Sequence, residues 1–523
     1  MNLKLKHFDF KALFEAEKLQ ELDVLFLQEL AEHDDKLHRD LLSYRSGKSF
    51  SPLQTSELLI HCAKALEHFL AELFSIEVEL EKSKATISNY TPIMNFKKWF
   101  VMRRAKRHLL RDENLPSFSE LSDWLKTEIK AELNEYKVAL YAEKLLEEKD
   151  LTSEKIEKLT QWCIQAIKTP EGRVDTKAWA SLKLPQRRDY QRLIPIIPVE
   201  GDAYGRQQLP TTQLRQRDGF DLTDHRMSTE QVLDEIHYCV FCHENEGDFC
   251  SKGFPVKKGD DSQGLRDNAL GNTLTGCPLE EKISEMHALK RDAFTIGALA
   301  MVMVDNPMCP ATGHRICNDC MKACIYQKQD PVDIPQIETR VLTDVLALPW
   351  GVEIYDLLTR WNPLRAKQWV SKPYNGHKIM IAGMGPAGFT LAHHLLMEGF
   401  AVTGVDGLKI EPIDAELLDK PIKDYDALEE KLSERVLAGF GGVAEYGITV
   451  RWDKNFLKLI YLNLMRRPYF QLFGNTRFGG TVTVEKAWEL GFDHLAVAVG
   501  AGLPKALPIP GSMAPGMRQA NDF

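Results

Sequence analysis

The sequence predicts a multidomain chain: an all-α N-terminal region, an α-helical cysteine-rich middle, and an α/β domain toward its C-terminal side. Three observations carry this. Roughly the first 180 residues keep apolar positions at three- and four-residue spacing. Eight of the ten cysteines fall between Cys239 and Cys324. From about residue 374 the order becomes apolar strand, glycine turn, helix, strand.

Composition sets the outer bounds. A chain of 523 residues is long enough for about three domains. Hydrophobic residues make up 44% and charged residues 27%, as in soluble globular proteins. The net charge of -9 argues against a nucleic-acid binder, since phosphate backbones want a basic face. The opening "MNLKLKHFDFKALFEAE" has mixed charge and no apolar core of a signal peptide. The run "AFTIGALAMVMV" (293–304) has twelve residues, too few for a membrane span, and reads as a buried helix. A soluble cytoplasmic protein is expected.

Residues 1–181 read as helix throughout. "LFEAEKLQELDVLFLQELAEH" and "LLIHCAKALEHFLAELFSIEVELEK" are amphipathic, and Ser153 is placed to cap "SEKIEKLTQWCIQAI". Cys62 and Cys163 sit alone in such patterns and read as inert buried thiols. The stretch "NFKKWFVMRRAKRHLLR" (95–111) is basic; the simplest reading is a solvated helix face with Phe96, Trp99 and Phe100 turned inward. No catalytic constellation appears in this region. Residues 182–227, broken by Pro185, Pro195, Pro198 and Pro210, read as a linker or extended arm.

Residues 228–345 hold the sulfur. The order is Cys239-x2-Cys242-x7-Cys250-x26-Cys277, then Cys309-x7-Cys317-x2-Cys320-x3-Cys324. Nothing marks the chain as secreted, so metal binding accounts for these thiols better than disulfides do. Two sets of four suggest two metal centres, and zinc and iron–sulfur clusters both take four thiolates. Iron–sulfur is favoured by Cys277-Pro278 and Cys309-Pro310, by the apolar helix between the two groups, and by the asymmetric spacing. Two structural zinc staples are the alternative.

In residues 346–523, "HKIMIAGMGPAGFTLAHHLLMEGFAVTGVDG" carries Gly383-x-Gly385-x-x-Gly388 between a strand and a helix. Asp406 ends the next strand, twenty-three residues after Gly383. This is the full Rossmann-like βαβ fingerprint. Gly383 makes the turn, and Gly385 admits a pyrophosphate at the helix N-terminus. Gly388 permits close packing, and Asp406 is placed for a ribose hydroxyl. His393 and His394 read as packing or surface residues. The fingerprint alone does not choose FAD over NAD.

The cysteine order with "GCPLEEKI", "DNPMCPATG" and "PVDIPQIE" resembles the N-terminal two-cluster domain of the glutamate synthase small-subunit family. It is similar, too, to the N-terminal part of dihydropyrimidine dehydrogenase. The resemblance covers about residues 230–523. It implies one 4Fe–4S cluster on Cys239, Cys242, Cys250 and Cys324, and a second on Cys277, Cys309 and Cys320. The second would be completed by Gln336, Glu338 or the extra Cys317. Departing from the family, "SKGFPVKKGDDSQGLRDNALGNTLTG" is inserted before Cys277.

The resemblance also implies FAD on Gly383, Gly385, Pro386, Ala387, Gly388 and Asp406. Gly442 of "GGVAEYGITVRW" and Gly500 of "DHLAVAVGAGLPKALPIPG" would join them, although Thr449 and Val499 depart from the family pattern. About thirty residues (407–440) intervene where the family is nearly continuous.

The function so implied is an oxidoreductase passing electrons between NAD(P)H, FAD and the clusters to a redox partner protein or a downstream domain. In the family an NADPH domain follows. Here "IPGSMAPGMRQANDF" ends the sequence without a second glycine fingerprint, so the FAD domain is expected to be incomplete and NADPH to serve only a complete protein. Two rival readings stand beside this one. The first is a scaffold subunit stapled by zinc or clusters; iron and labile-sulfide analysis separates it. The second is an NAD site without flavin, which extraction of the cofactor settles.

Overall fold

Three helices open the chain: α1 (Ala16–His33), α2 (Asp35–Arg45) and α3 (Pro52–Phe74). The computed structural model describes all residues except 1–2, 5–7, 111–113, 149–152, 212–213, 215–224, 246, 312–316, 433–452, 501–507, 513 and 519–523. About half of the chain is helical, and a small parallel sheet lies toward its C-terminal side.

Helix α3 starts on a reciprocal cap. The Ser51 hydroxyl accepts from Gln54 N at 3.2 Å, the Gln54 side chain accepts from Ser51 N at 3.0 Å, and Pro52 takes the first helical position. Its apolar positions Leu59, Cys62, Ala63, Leu66 and Leu70 are sealed from solvent. Burial pushes the Cys62 thiol up to about 12, as suits an inert packed cysteine.

A second bundle holds α4 (Phe118–Ile129), α5 (Glu135–Glu147) and α6 (Glu154–Lys168) around Phe96, Phe100, Leu125, Cys163 and Trp162. Ser153 caps α6, accepting from Ile156 N at 3.4 Å. The basic stretch departs from a plain helix: Lys97–Met102 forms a π-turn. Phe96 and Phe100 are buried, but Trp99 stays 38% exposed, and the Arg103 guanidinium stacks over it at 3.9 Å. The wider turn rotates the third aromatic off the inward face.

The arm that follows pairs Ile197–Pro198 with Gln207–Gln208 in a two-residue antiparallel ladder. Then come α7 (Thr229–Tyr238), α8 (Ile283–Arg291), α9 (Thr295–Asp305), α10 (Ile334–Leu346) and α11 (Gly351–Arg360). Helix α9 is the apolar run, and residues 295–303 are all buried. One hydrophobic core joins α1 and α3 to α8, α9, α10 and α11, so the first helices pack directly on the cysteine-bearing segment.

The α/β unit holds β1 (Lys378–Ala382), α12 (Pro386–Met397), β2 (Ala401–Val405), α13 (Asn455–Met465), β3 (Phe470–Phe473) and β4 (His494–Val497). The sheet order is β3-β2-β1-β4, and every pairing is parallel. Ile379 stands opposite Val402 on one side and His494 on the other. The order reverses beside β1, and in such sheets ligands bind where that happens, at the carboxyl ends of the strands. Helix α13 is buried along Asn455–Leu464 and serves two cores. Ile460 and Leu464 pack with the sheet, while Phe456 and Leu459 pack with the cysteine-bearing segment. Among the described residues no helix is long and apolar enough to cross a membrane.

Candidate cluster and dinucleotide sites

Helix α7 ends on Cys239, whose N–H returns to the carbonyls of Glu235 and Ile236. Phe241 then takes a left-handed φ of 49°, and its N–H donates to Cys239 Sγ at 3.4 Å. This tight turn sets Cys239 and Cys242 on one loop. Cys250 lies in a short helical turn, Phe249–Lys252, and Cys324 ends another, Asp319–Ala323. Cys250 and Cys324 lie close enough for their thiols to act on each other, and Cys239 and Cys320 act on Cys250 too. Cys324 also acts on both Cys239 and Cys242. The fold therefore gathers Cys239, Cys242, Cys250 and Cys324, although Cys277 and Cys309 lie between them in sequence.

Cys277, Cys309 and Cys320 form the other group. The carboxylate of Glu338, on α10, acts on all three. Glu281 acts on them as well, and Asn306 Nδ2 donates to Glu281 Oε1 at 2.9 Å and to Glu338 Oε1 at 3.4 Å. Gln336 turns elsewhere: its Oε1 accepts from Met227 N at 3.1 Å and its Nε2 donates to the His225 carbonyl at 3.2 Å. Cys317 is exposed, with its Sγ 3.7 Å from Asp319 Oδ2, and it acts on Cys320 from the edge of the group.

The inserted residues before Cys277 do not separate the two groups. They run out and back through Phe254 N to the Leu274 carbonyl, at 2.9 Å, and Arg266 N to the Phe254 carbonyl, at 2.8 Å. The loop closes where Cys277 N donates to the Cys250 carbonyl at 2.8 Å. Gly253 and Gly276 form its neck. A Cβ on Gly276 would lie 2.4 Å from Gly253 N.

No disulfide joins any of these eight thiols. Burial pushes Cys239 up to about 12 and Cys242 and Cys277 up to about 11, and it holds Cys309 and Cys320 well above the usual range. Apart from backbone N–H groups, the neighbours acting on these five are thiols and carboxylates, which add to the effect. Buried sulfurs crowded with acids want a cationic guest that holds them as thiolates. Among the described residues, no three His, Cys, Asp or Glu side chains converge on a point one metal ion would fill.

The glycine turn lies between β1 and α12. Gly383 has a φ of +96°, and a Cβ there would lie 2.4 Å from the Ala498 carbonyl oxygen. A Cβ on Gly388 would lie 1.9 Å from the Gly383 carbonyl oxygen. Gly385 is the N-cap of α12 and Pro386 its first residue, so the helix opens with N–H groups that no side chain caps. Asp406 Oδ2 accepts from Met384 N at 2.9 Å, and Oδ1 from Leu408 N at 2.9 Å. The carboxylate thus fastens the glycine loop to the end of β2.

A cleft of 1110 Å³ opens at the carboxyl ends of the strands. It brings together Gly383, Gly385, Pro386, Ala387, Asp406 and Gly500, while Gly388 packs beneath. Gly442 lies outside the described residues. Sequence reasoning missed Thr476 and Arg477 on the same wall. Their signal is the loop "FGNTRFGG" after β3, whose arginine has no motif spacing to mark it. His393 is fully buried, with Nδ1 3.3 Å from Arg467 Nη2, and belongs to packing.

The two sites meet at α13. Met308 and Ala311, flanking Cys309, share a core with Ile381 and Phe389 of the α/β unit.

Residues 3–75 match the family described as RP005 N-terminal alpha-helical domain. Uncharacterized protein RP006 of Rickettsia prowazekii (strain Madrid E) is 52% identical over 216 residues, 41% of this chain and 30% of that protein. Uncharacterized protein RP005 of the same organism is 28% identical over 286 residues, 52% of this chain and 93% of that protein. The glutamate synthase (NADPH) small chain of Mycobacterium tuberculosis is 25% identical over 250 residues, 47% of this chain and 42% of that protein. The chain thus spans less than half the length of RP006 and of the small chain, and over about half of its own length it is a distant relative of the glutamate synthase small chain.

Proposed function

We propose that this chain is an iron–sulfur flavoprotein oxidoreductase of the glutamate synthase small-subunit type, acting in the cytoplasm. The observation that carries the reading is the interleaving of the cysteines. Cys324 joins Cys239, Cys242 and Cys250 across an intervening stretch that supplies Cys277, Cys309 and Cys320 to the other group. A single structural metal would need no such exchange. Glu338 suits the fourth place of the second group better than Gln336, whose amide is already engaged.

When bound, FAD and two 4Fe–4S clusters supply the exchange between NAD(P)H, a two-electron donor in the complete protein, and a one-electron acceptor. The acceptor is a redox partner protein or a further domain. The residues of this chain hold and shield. Uncapped N–H groups of α12 face the place of a pyrophosphate, and Arg477 adds positive charge to the cleft wall. Asp406 fixes the glycine loop and keeps lone pairs for a ribose hydroxyl. Cys309, 2% exposed, and the apolar helix α9 keep water from the second thiol group.

Anaerobic purification followed by iron, acid-labile sulfide and flavin analysis tests this. About eight irons and one FAD per chain are expected. Gly385→Val places a side chain where the pyrophosphate approaches, so FAD should be lost and iron kept. Stoichiometric zinc without sulfide, or full FAD in that variant, would overturn the reading.

A further inference from the structure

The first thiol group lies beneath an apolar patch. Val240, between Cys239 and Cys242, is 39% exposed, and Ile325, directly after Cys324, is 43% exposed. Beside them Tyr238 and Tyr326 stack with ring centroids 4.1 Å apart. Large side chains open to solvent on cluster-ligand loops mark a contact surface rather than a core.

Basic side chains lie on both sides of this patch, outnumbering the exposed Asp189 and Asp330 among them, although the chain as a whole carries a net charge of -9. On one side the Arg291 guanidinium lies 4.5 Å from the Phe241 ring centroid, and Arg291, Lys98 and Lys97 all bear on His237, two residues before Cys239. On the other side the arm runs along the segment after Cys324. Arg188 N donates to the Lys328 carbonyl at 3.1 Å, and Tyr190 Oη donates to the Gln327 carbonyl at 2.9 Å. That sets exposed Arg187 and Arg188 against exposed Lys328, three residues after Ile325. Among the described residues, Lys98, Arg187, Arg188 and Lys328 have no carboxylate partner, unlike Lys97, which is paired with Asp234. The second thiol group has an exposed neighbour too, Leu279 at 48%, but Glu280 and Glu281 follow it.

We infer that this face, apolar at Val240 and Ile325 and basic at Lys98, Arg187, Arg188 and Lys328, is the docking surface for an acidic one-electron carrier protein. The inference rests on the cluster reading above. In the exchange one electron leaves a reduced cluster and one enters the redox centre of the carrier; no bond or proton moves. Opposite charge draws the carrier in, and the apolar patch lets the two centres approach without water between them.

The probe is an acidic plant-type 2Fe–2S ferredoxin mixed in stopped flow with the dithionite-reduced full chain, and its binding is measured separately by calorimetry. The wild type should react at a rate that falls steeply with salt. Arg188→Glu with Lys328→Glu should slow the second-order rate by about tenfold or more and flatten its salt dependence. Iron, sulfide and cluster absorbance should be unchanged. Lys420→Glu with Lys486→Glu, reversals of similar size in the α/β unit, should have no effect. Equal rates in all three proteins with intact clusters would overturn the docking surface and leave the cluster reading standing. A wild type without iron or sulfide would overturn both, and the assay tells the two failures apart.

Discussion

Glu67 of α3 accepts hydrogen bonds from Ile296 N at 2.7 Å and from Gly297 N at 3.1 Å, at the N-terminal end of α9. A residue of the first helices thus caps the helix that backs both thiol groups. Gly297 is there for closeness: a Cβ would lie 2.9 Å from the Ala63 carbonyl oxygen. The N-terminal helices are therefore part of the core that supports the sulfur.

Burial raises the Glu67 carboxyl to about 7, against the lowering effect of the Gly297 and Ile296 N–H groups. The folded carboxyl then binds its proton more tightly than the unfolded one, whose value is near 4.5. Its contribution is full below about pH 4.5 and is lost as pH rises toward 7. Between pH 5.5 and 8 the wild type should lose on the order of 2 kcal/mol relative to Glu67→Gln, which cannot ionise. Urea midpoints of the two proteins at both pH values check this. A constant difference between them would show that Glu67 does not titrate in this window.

The neck of the inserted loop makes a second prediction. Gly276 has a φ of +75°, and a Cβ there would meet Gly253 N at 2.4 Å and the Ser251 carbonyl oxygen at 2.6 Å. Gly276→Val should open the Cys250–Cys277 hydrogen bond, cost roughly 1–3 kcal/mol and lower the iron content. Gly259 at the loop tip has nothing within 4 Å of a Cβ, so Gly259→Ala should keep its iron. Iron per chain in the two variants gives the comparison.

Much of this was legible in the sequence where one local rule acted alone. The βαβ unit declared itself because Gly383, Gly385, Gly388 and Asp406 sit at fixed spacing along one continuous segment. The capped helix α6 did so through Ser153, whereas the Ser51 cap of α3 was not read from the sequence. What stayed hidden depended on distant segments meeting. Glu67 carries no motif; its role exists only once α3 lies against α9. Arg477 reaches the cleft through the order of strands, which the sequence around it does not encode. The return of the chain from Cys250 to Cys277 depends on two glycines that read, one at a time, as ordinary turns.

Arg477 supplies a third prediction. It lines the cleft, and among the described residues it has no carboxylate partner, so its charge is available to a pyrophosphate. Arg477→Ala should weaken FAD binding by about tenfold, the worth of one charge-assisted hydrogen bond, with little change in thermal midpoint. Flavin fluorescence during reconstitution reads the affinity. Unchanged affinity would mean that the guanidinium points away from the phosphates.

The last prediction separates Glu338 from Cys317 as the fourth ligand of the second thiol group. Glu338 stands on a buried helix, acts on Cys277, Cys309 and Cys320 together, and is steadied by Asn306. Cys317 is exposed and acts on Cys320 from the edge of that group. A carboxylate bound to one iron is a harder ligand than a thiolate, so its loss should alter one cluster and leave the other intact. Glu338→Ala should therefore change the reduced paramagnetic spectrum of a single cluster and lower iron toward a three-iron form. Cys317→Ser should keep both spectra and the full iron content. Conversely, if Cys317→Ser loses a cluster while Glu338→Ala keeps both, the exposed thiol is the ligand.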